Sequence, residues 1–228
     1  MPAKTPTARL DIDFWQQRYL TGNTPWDDGQ DDPELVAWLA SATLGPADGP
    51  VAVPGCGSGR DLVLLAQRGI EALGIDCTPM ALTLARQRLQ AAACSAGLFE
   101  ADVLAWTPPQ PLGAIIERTC LCALHPDVWV RYAVRLHAWL RPGGRLFAQF
   151  EQIPRAGAAQ GLLQGPPYHC DINAMHALFP GERWAWLDAP RRHDGDGQHL
   201  SVVMQAIGPT GVDYPGGSAN GSVRQARL

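Results

Sequence analysis

The residues of this chain best placed to do ligand chemistry are a glycine turn and two acids that follow it. The stretch Val51-Ala-Val-Pro-Gly-Cys-Gly-Ser-Gly-Arg-Asp61 runs from a short apolar segment through Gly55, Gly57 and Gly59 into a helical pattern. Glycine accepts positive φ and lets a ligand approach the backbone. The N–H groups that open a helix bind polar ligand groups. Strand, glycine turn and helix make the first half of a nucleotide-binding unit. Asp76 ends the next strand-like segment, 70–76, where a carboxylate can accept both hydroxyls of a ribose. Asp102 follows a third, 97–100, where it can receive the amino group of an adenine. Each acid also has a plainer reading: Asp76 precedes Thr78 and can cap a helix, and Asp102 can be a turn residue.

The spacing of the glycines narrows the ligand. They fall as G-x-G-x-G, and Arg60 stands where the dinucleotide fingerprint has its third glycine. That glycine serves close helix–strand packing beneath a pyrophosphate, so its absence counts against NAD and a dehydrogenase. An adenosine without phosphates fits the layout: the turn for an amino-acid moiety, Asp76 for the ribose, Asp102 for the base. That is the layout of an S-adenosylmethionine (SAM) site.

These groups must be positioned by alternating elements. Leu10, Phe14, Trp15 and Tyr19 fall at helical spacing, predicting a helix over 10–20 behind a frayed tail at 1–9. The turn-rich segment Thr21-Gly-Asn-Thr-Pro-Trp-Asp-Asp-Gly29 carries one large aromatic, Trp26, which either anchors the arm or covers the glycine turn as a lid. Asp32-Pro33 opens a helix to about 42, followed by a linker over 44–50. Strands are expected at 51–54, 70–76, 97–100, 113–118 and 145–152, with helices at 60–69, 79–93 and 127–140 between them. Pro142-Gly-Gly144 stops the last of these. A Gly/Pro-rich loop to Tyr168, a helix near 171–179 and an antiparallel pair near 183–188 and 199–206 complete the pattern. Alternation of this kind implies βαβ units and a mostly parallel sheet with its ligand at the carboxyl ends of the strands. The organisation expected is an arm or lid over 1–32, a binding domain over 33–207 and a disordered tail over 208–228.

Composition bounds the rest. With 228 residues and 46% hydrophobic content the chain can build a full core. A net charge of −4 gives no general field for nucleic acid or an anionic membrane, and no apolar run approaches a membrane span. The first ten residues lack the apolar core of a secretory signal. Six cysteines without paired CxxC spacing read as reduced thiols of a cytoplasmic protein, and no metal site is expected; Cys120-x-Cys122 has no partner motif.

Several motifs together resemble class I SAM-dependent methyltransferases: Pro54-Gly-Cys-Gly57, Gly74-Ile-Asp76, Asp102-Val-Leu-Ala-Trp-Thr-Pro108 and Leu140-Arg-Pro-Gly-Gly144. Four more resemble the thiopurine S-methyltransferase family, nearest its thiol/halide methyltransferase branch: Phe14-Trp-Gln-Gln-Arg-Tyr19, Thr24-Pro-Trp-Asp-Asp-Gly29, Glu117-Arg-Thr-Cys-Leu-Cys-Ala-Leu124 and Gly165-Pro-Pro-Tyr168. The resemblance covers about residues 13–190. It implies a Rossmann-like α/β fold, a mostly parallel seven-stranded sheet with an antiparallel last strand and helices on both faces. It implies SAM as cofactor, with S-adenosylhomocysteine as its product, and a small-molecule methyl acceptor. The chain is expected to act as a monomer or weak dimer.

The cofactor contacts implied fall on Gly55, Gly57, Gly59 and Asp61 in the turn, and on Asp76 and Cys77 at the second strand. Asp102 and Val103 follow the third strand, and Glu117 lies near the end of the fourth. Trp15, Tyr19 and Trp26 belong to the arm. Arg118 and Tyr168 are the expected catalytic pair, Arg118 steadying a thiolate or an anionic acceptor and Tyr168 lining its pocket. Glu117-Arg118 sides with the thiopurine branch and the arm with the other. The expected reaction is in-line methyl transfer to a small soft nucleophile, most readily the sulfur of a thiol. N- or O-methylation of a small heterocycle would need a base, with His169 or Asp27 as candidates, and a SAM-binding protein without catalysis is the remaining alternative.

Overall fold

The computed structural model describes residues 12–152, 163–192 and 199–210. The expectations for 1–11, for most of the Gly/Pro-rich loop and for the tail from 211 lie outside these residues. Helix α1, Ile12–Leu20, crosses the molecule toward α4 (Pro79–Ala91), where the Gln16 side-chain oxygen accepts from the Met80 N–H at 3.1 Å. Helix α2, Pro33–Ala40, starts where its chemistry predicts: Asp32 accepts from Leu35 N–H at 2.7 Å and Pro33 occupies the first turn. It ends at Ala40, where Ser41 returns its N–H to Ala37.

The remaining elements alternate as β1 (Val51–Pro54), α3 (Arg60–Gln67), β2 (Ala72–Asp76), α4, β3 (Gly97–Glu100), β4 (Leu112–Arg118), α5 (Trp129–Trp139), β5 (Leu140–Glu151), α6 (Ile172–Leu178), β6 (Trp184–Trp186), β7 (Arg191–Arg192) and β8 (His199–Ala206). The sheet order is β3-β2-β1-β4-β5-β8-β6, with β7 paired to β8. Strands β1 to β5 run parallel. Strand β8 is antiparallel to β5 from Arg145↔Gln205 to Glu151↔His199, and β6 is antiparallel to β8. The sheet therefore has eight strands where seven were expected; the addition is the two-residue β7, too short to leave a periodic signal. Strand β5 also begins earlier than 145. Leu140 already pairs with Leu112, and Pro142-Gly-Gly144 forms a bulge with Gly143 at φ 75 before Arg145 rejoins Ala114.

Period-2 alternation sorts the strand residues into two layers. Ala52, Ile115 and Leu146 face a core shared with Tyr132, Leu136 and Trp139 of α5 and Met175 of α6. Val51, Val53, Ile116 and Phe147 face the other, shared with Leu35 and Trp38 of α2 and Leu62 and Leu65 of α3. Each such side chain removed from water contributes about 2 kcal/mol. These two layers hold the sheet rigid while its carboxyl edge stays open to polar chemistry. Strand order reverses between β1 and β4, which places the crevice at the ends of those two strands.

Candidate active site

The glycine turn sits in that crevice. Gly55, Gly57 and Gly59 have φ of 62°, 52° and 77°. Two of them also have neighbours that exclude a side chain. A Cβ on Gly57 would lie 2.7 Å from the Tyr19 hydroxyl, and one on Gly59 would lie 2.8 Å from the Ala85 Cβ of α4. Gly59 therefore lets α4 approach the start of α3, a helix–helix contact and not the helix–strand packing that the dinucleotide fingerprint's third glycine serves. The Gly57 N–H donates to Asp76 Oδ2 at 3.0 Å. The Thr78 N–H donates to Oδ1 at 2.9 Å, and the Thr78 hydroxyl binds the same oxygen. Asp76 is 6% exposed. Burial raises its carboxyl above the usual range, against these hydrogen bonds. Oδ2 carries one protein donor and retains a lone pair for another. Cys56 lies in the same wall, and burial together with the Asp76 and Asp61 charges pushes its thiol well above 9.0.

The arm closes over this turn as an aromatic cluster. The Trp26 ring packs edge-on against Trp15 at 5.6 Å and Tyr19 at 6.0 Å, and the Arg18 guanidinium lies 5.0 Å from the Trp26 ring centre. Tyr19 is buried, and burial with the Asp76 charge pushes its phenol up. Asp27, next to Trp26, binds Ser58 and Arg60, the latter at 2.5 Å, with Arg88 3.6 Å away.

Across the crevice, Arg118 at the end of β4 meets Asp61 of α3 through Nε at 3.3 Å and Nη2 at 3.2 Å, and Asp32 lies 4.0 Å from Nε. Burial raises the Asp61 carboxyl while Arg118 opposes the shift. Burial works against the Arg118 charge, and the two carboxylates outweigh it and hold the guanidinium more firmly protonated. Thr119 follows at φ 65, an unusual conformation for a β-branched residue, and lines the same cavity as Gly55, Asp61 and Arg118.

Glu117, one of the expected cofactor contacts, is buried near the end of β4. It is 1% exposed, and its two oxygens accept from Leu121 N–H at 2.7 Å and the Tyr132 hydroxyl at 2.5 Å. Burial pushes its carboxyl from 4.5 up to about 7, against these hydrogen bonds. Each oxygen thus takes a protein donor, and the residue ties the Cys120–Leu124 turn to Tyr132 of α5. Tyr168 lies on the far side of that turn: its N–H donates to Cys122 O at 2.7 Å and its ring meets His125 edge-on at 5.5 Å. Among the described residues no hydrogen bond or ion pair joins Tyr168 to Arg118, the two residues expected to serve catalysis. His169 Nδ1 is buried without a hydrogen-bond partner among the described residues.

Asp102 is exposed beyond β3, with Oδ1 accepting from Leu104 N–H at 2.8 Å. Val103 is buried beside it. Burial and the Asp76 charge raise the Cys77 thiol, with a smaller contribution from Asp102. Asp32, Ser58, Arg88 and Tyr132 were missed from sequence, because each reaches a partner on a distant element, and Thr119 was missed because its positive φ leaves no mark in the sequence. Among the described residues no cluster of His, Cys, Asp or Glu is arranged to hold a metal, and no helix is long and apolar enough to cross a membrane.

Known structures share this architecture. One is the 1,6-didemethyltoxoflavin-N1-methyltransferase of Burkholderia thailandensis with 1,6-didemethyltoxoflavin and S-adenosylhomocysteine. Its TM-score is 0.66 at 18% identity, covering 86% of this chain and 87% of that one. Another is the N-methyltransferase NodS of Bradyrhizobium japonicum with S-adenosylhomocysteine. Its TM-score is also 0.66, at 17% identity, covering 86% of this chain and 99% of that one. They establish the fold. A family model described as thiopurine S-methyltransferase matches residues 10–199. The chain is 33% identical over 190 residues to thiopurine S-methyltransferase of Xanthomonas campestris, covering 77% of this chain and 84% of that protein. It is 28% identical over 168 residues to probable thiol methyltransferase 2 of Arabidopsis thaliana, covering 72% and 70%. A class I fold joined to that match makes the protein a SAM-dependent methyltransferase. Within that class, the chain belongs to the thiopurine S-methyltransferase family.

Proposed function

We propose that this enzyme methylates the sulfur of a small thiol by in-line displacement. When bound, SAM supplies the methyl group on a sulfonium, whose bonding pair returns to sulfur as the new S–CH3 bond forms. In this reading the turn, with Gly55, Gly57, Gly59 and Asp61, holds the amino-acid end of the cofactor. Asp76 and Cys77 take the ribose, and Asp102 and Val103 take the adenine. The free lone pair on Asp76 Oδ2 and the positive-φ glycines of the turn suit those roles. Trp15, Tyr19 and Trp26 form the lid, and their rings favour a cation by about 0.5–2 kcal/mol each.

At the acceptor end Arg118 is the working cation. Asp61 uses two of its five N–H donors, so three remain to steady a thiolate. A thiol with pKa of about 8.5 needs little help from a base. Alignment and exclusion of water then carry the acceleration. Tyr168 forms the outer wall, and Glu117 supports the turn between it and Arg118.

The single observation that carries the sulfur acceptor is that relatives named for thiols and relatives named for thiopurines both match most of this chain. The test is calorimetric titration with S-adenosylhomocysteine, then product analysis across hydrosulfide, iodide, an aromatic thiol and a phenol. Methylation of the thiols ahead of iodide and phenol is expected. Preferred methylation of the phenol overturns the sulfur assignment and leaves the cofactor assignment standing.

A further inference from the structure

We propose that Asp27 is a positioning residue that latches the arm onto the glycine turn and so sets how long the cofactor stays bound. The inference rests on the cofactor reading of the crevice. Its ground is the convergence of three elements on one carboxylate. Ser58 comes from the turn, Arg60 is the first residue of α3, and Arg88 comes from α4. Ser58 and Arg60 lie 31 and 33 residues further along the chain. The network is closed: the Ser58 hydroxyl donates to Asp27 and accepts from Arg88 Nη1 at 2.6 Å.

Two further features give the latch something to hold. The Asp27 N–H donates to Thr24 O at 2.9 Å, which fixes the turn that carries Trp26. Trp26 in turn packs on Trp15 and Tyr19, so a pull on Asp27 carries the whole aromatic cluster. With the latch made, the Tyr19 hydroxyl stands directly over Gly57. The latched arm thus lies against the glycine turn, and a ligand held in the crevice beneath it enters or leaves only when the arm moves. The latch must therefore open and close with each cofactor exchange.

The pairing survives in water because it is mostly sheltered: the Asp27 and Arg60 side chains are 15% and 12% exposed, against 35% for Arg88. Burial alone would raise the Asp27 carboxyl, and the hydrogen bonds from Ser58 and Arg60 with the Arg88 charge bring it below the usual range instead. The carboxylate is thus charged throughout the neutral range. The latch also explains the arginine at position 60, which the turn itself does not require.

The experiment measures S-adenosylhomocysteine affinity and dissociation rate in the wild-type enzyme, Asp27→Asn, Arg60→Gln and their double variant, with the melting temperature of each ligand-free protein. Tryptophan fluorescence reports arm closure in the dissociation runs. In Asp27→Asn, the dissociation constant and the off-rate are expected to rise about tenfold. The loss appears in KM for SAM and not in kcat. The double variant is expected to be no weaker than Asp27→Asn, since both substitutions open one network. Ser58→Ala shifts the same quantities less, and serves if Asp27→Asn does not fold. An unchanged off-rate in Asp27→Asn, or fully additive losses in the double variant, overturns the latch. Absence of binding by the wild-type enzyme overturns the cofactor reading together with it.

Discussion

The two strands that flank β1 each bring a buried carboxylate to the carboxyl edge of the sheet, and the two carboxylates do different things. Asp76 ends β2 and takes its donors from the glycine turn and from Thr78. Glu117, one residue before the end of β4, takes its donors from Leu121 and from Tyr132 of α5. Asp76 is 6% exposed and Glu117 is 1% exposed. An acid at a strand end is therefore not by itself a ligand contact. In the proposed cofactor reading the acid tied to the glycine turn serves the ligand, while the acid tied to Leu121 and Tyr132, 1% exposed, supports the turn beside it.

Substitutions can break this contrast. In the proposed cofactor reading Asp76→Ala removes the one lone pair left for a ribose hydroxyl, a hydrogen bond to a charged partner worth about 3 kcal/mol, so S-adenosylhomocysteine affinity is expected to fall about a hundredfold. Unchanged affinity by calorimetry would make Asp76 a strut like Glu117. The second contrast is in pH. In the folded protein Glu117 keeps its proton to about pH 7, but the unfolded chain releases it near 4.5. Between those values the unfolded state binds fewer protons, so the stability from this group is full below 4.5 and declines as pH rises to 7. Glu117→Gln has no proton to lose. Its unfolding free energy, followed by denaturant titration from pH 5 to pH 8, should fall less than that of the wild type by about 3 kcal/mol. An identical slope places the titration elsewhere.

Arg118→Ala leaves Asp61 and Asp32 facing each other without their shared cation. Since the Arg118 side chain is 23% exposed, a loss of about 2 kcal/mol in unfolding free energy is expected, together with lost turnover on thiols. Full turnover with every thiol would confine Arg118 to the ion pair. The smallest effect is expected at Asp102, which is exposed and makes one turn hydrogen bond. Asp102→Ala should weaken S-adenosylhomocysteine by about 1 kcal/mol, less than tenfold. A hundredfold loss would put Asp102 on a par with Asp76.

The sequence makes the frame legible because its signals are local. The glycines, Pro33, Pro79 and the alternation of apolar residues each declare an element within a few positions, and β1 to β5 follow from them. The arm aromatics could be grouped for the same reason. What could not be read is what joins distant elements. Asp27 can be seen in its turn, but not its arginines on α3 and α4. Glu117 beside Arg118 suggests a pair, yet the two side chains point to different partners, one to Tyr132 and one to Asp61. Position 60 looks like a missing glycine until Arg60 is seen paired with Asp27. Strand β7 exists through its register with β8 and not through its own sequence.

Cys56 has a consequence for an enzyme of this class. It is a free thiol set between Gly55 and Gly57, in the wall of the cavity where a methyl sulfonium would bind. Such a donor can alkylate any thiolate within reach, the host protein's own included. With its thiol raised well above 9.0, Cys56 stays protonated and weakly nucleophilic at neutral pH. Burial, aided by the Asp76 and Asp61 charges, thus keeps the one thiol of the glycine turn in its unreactive form.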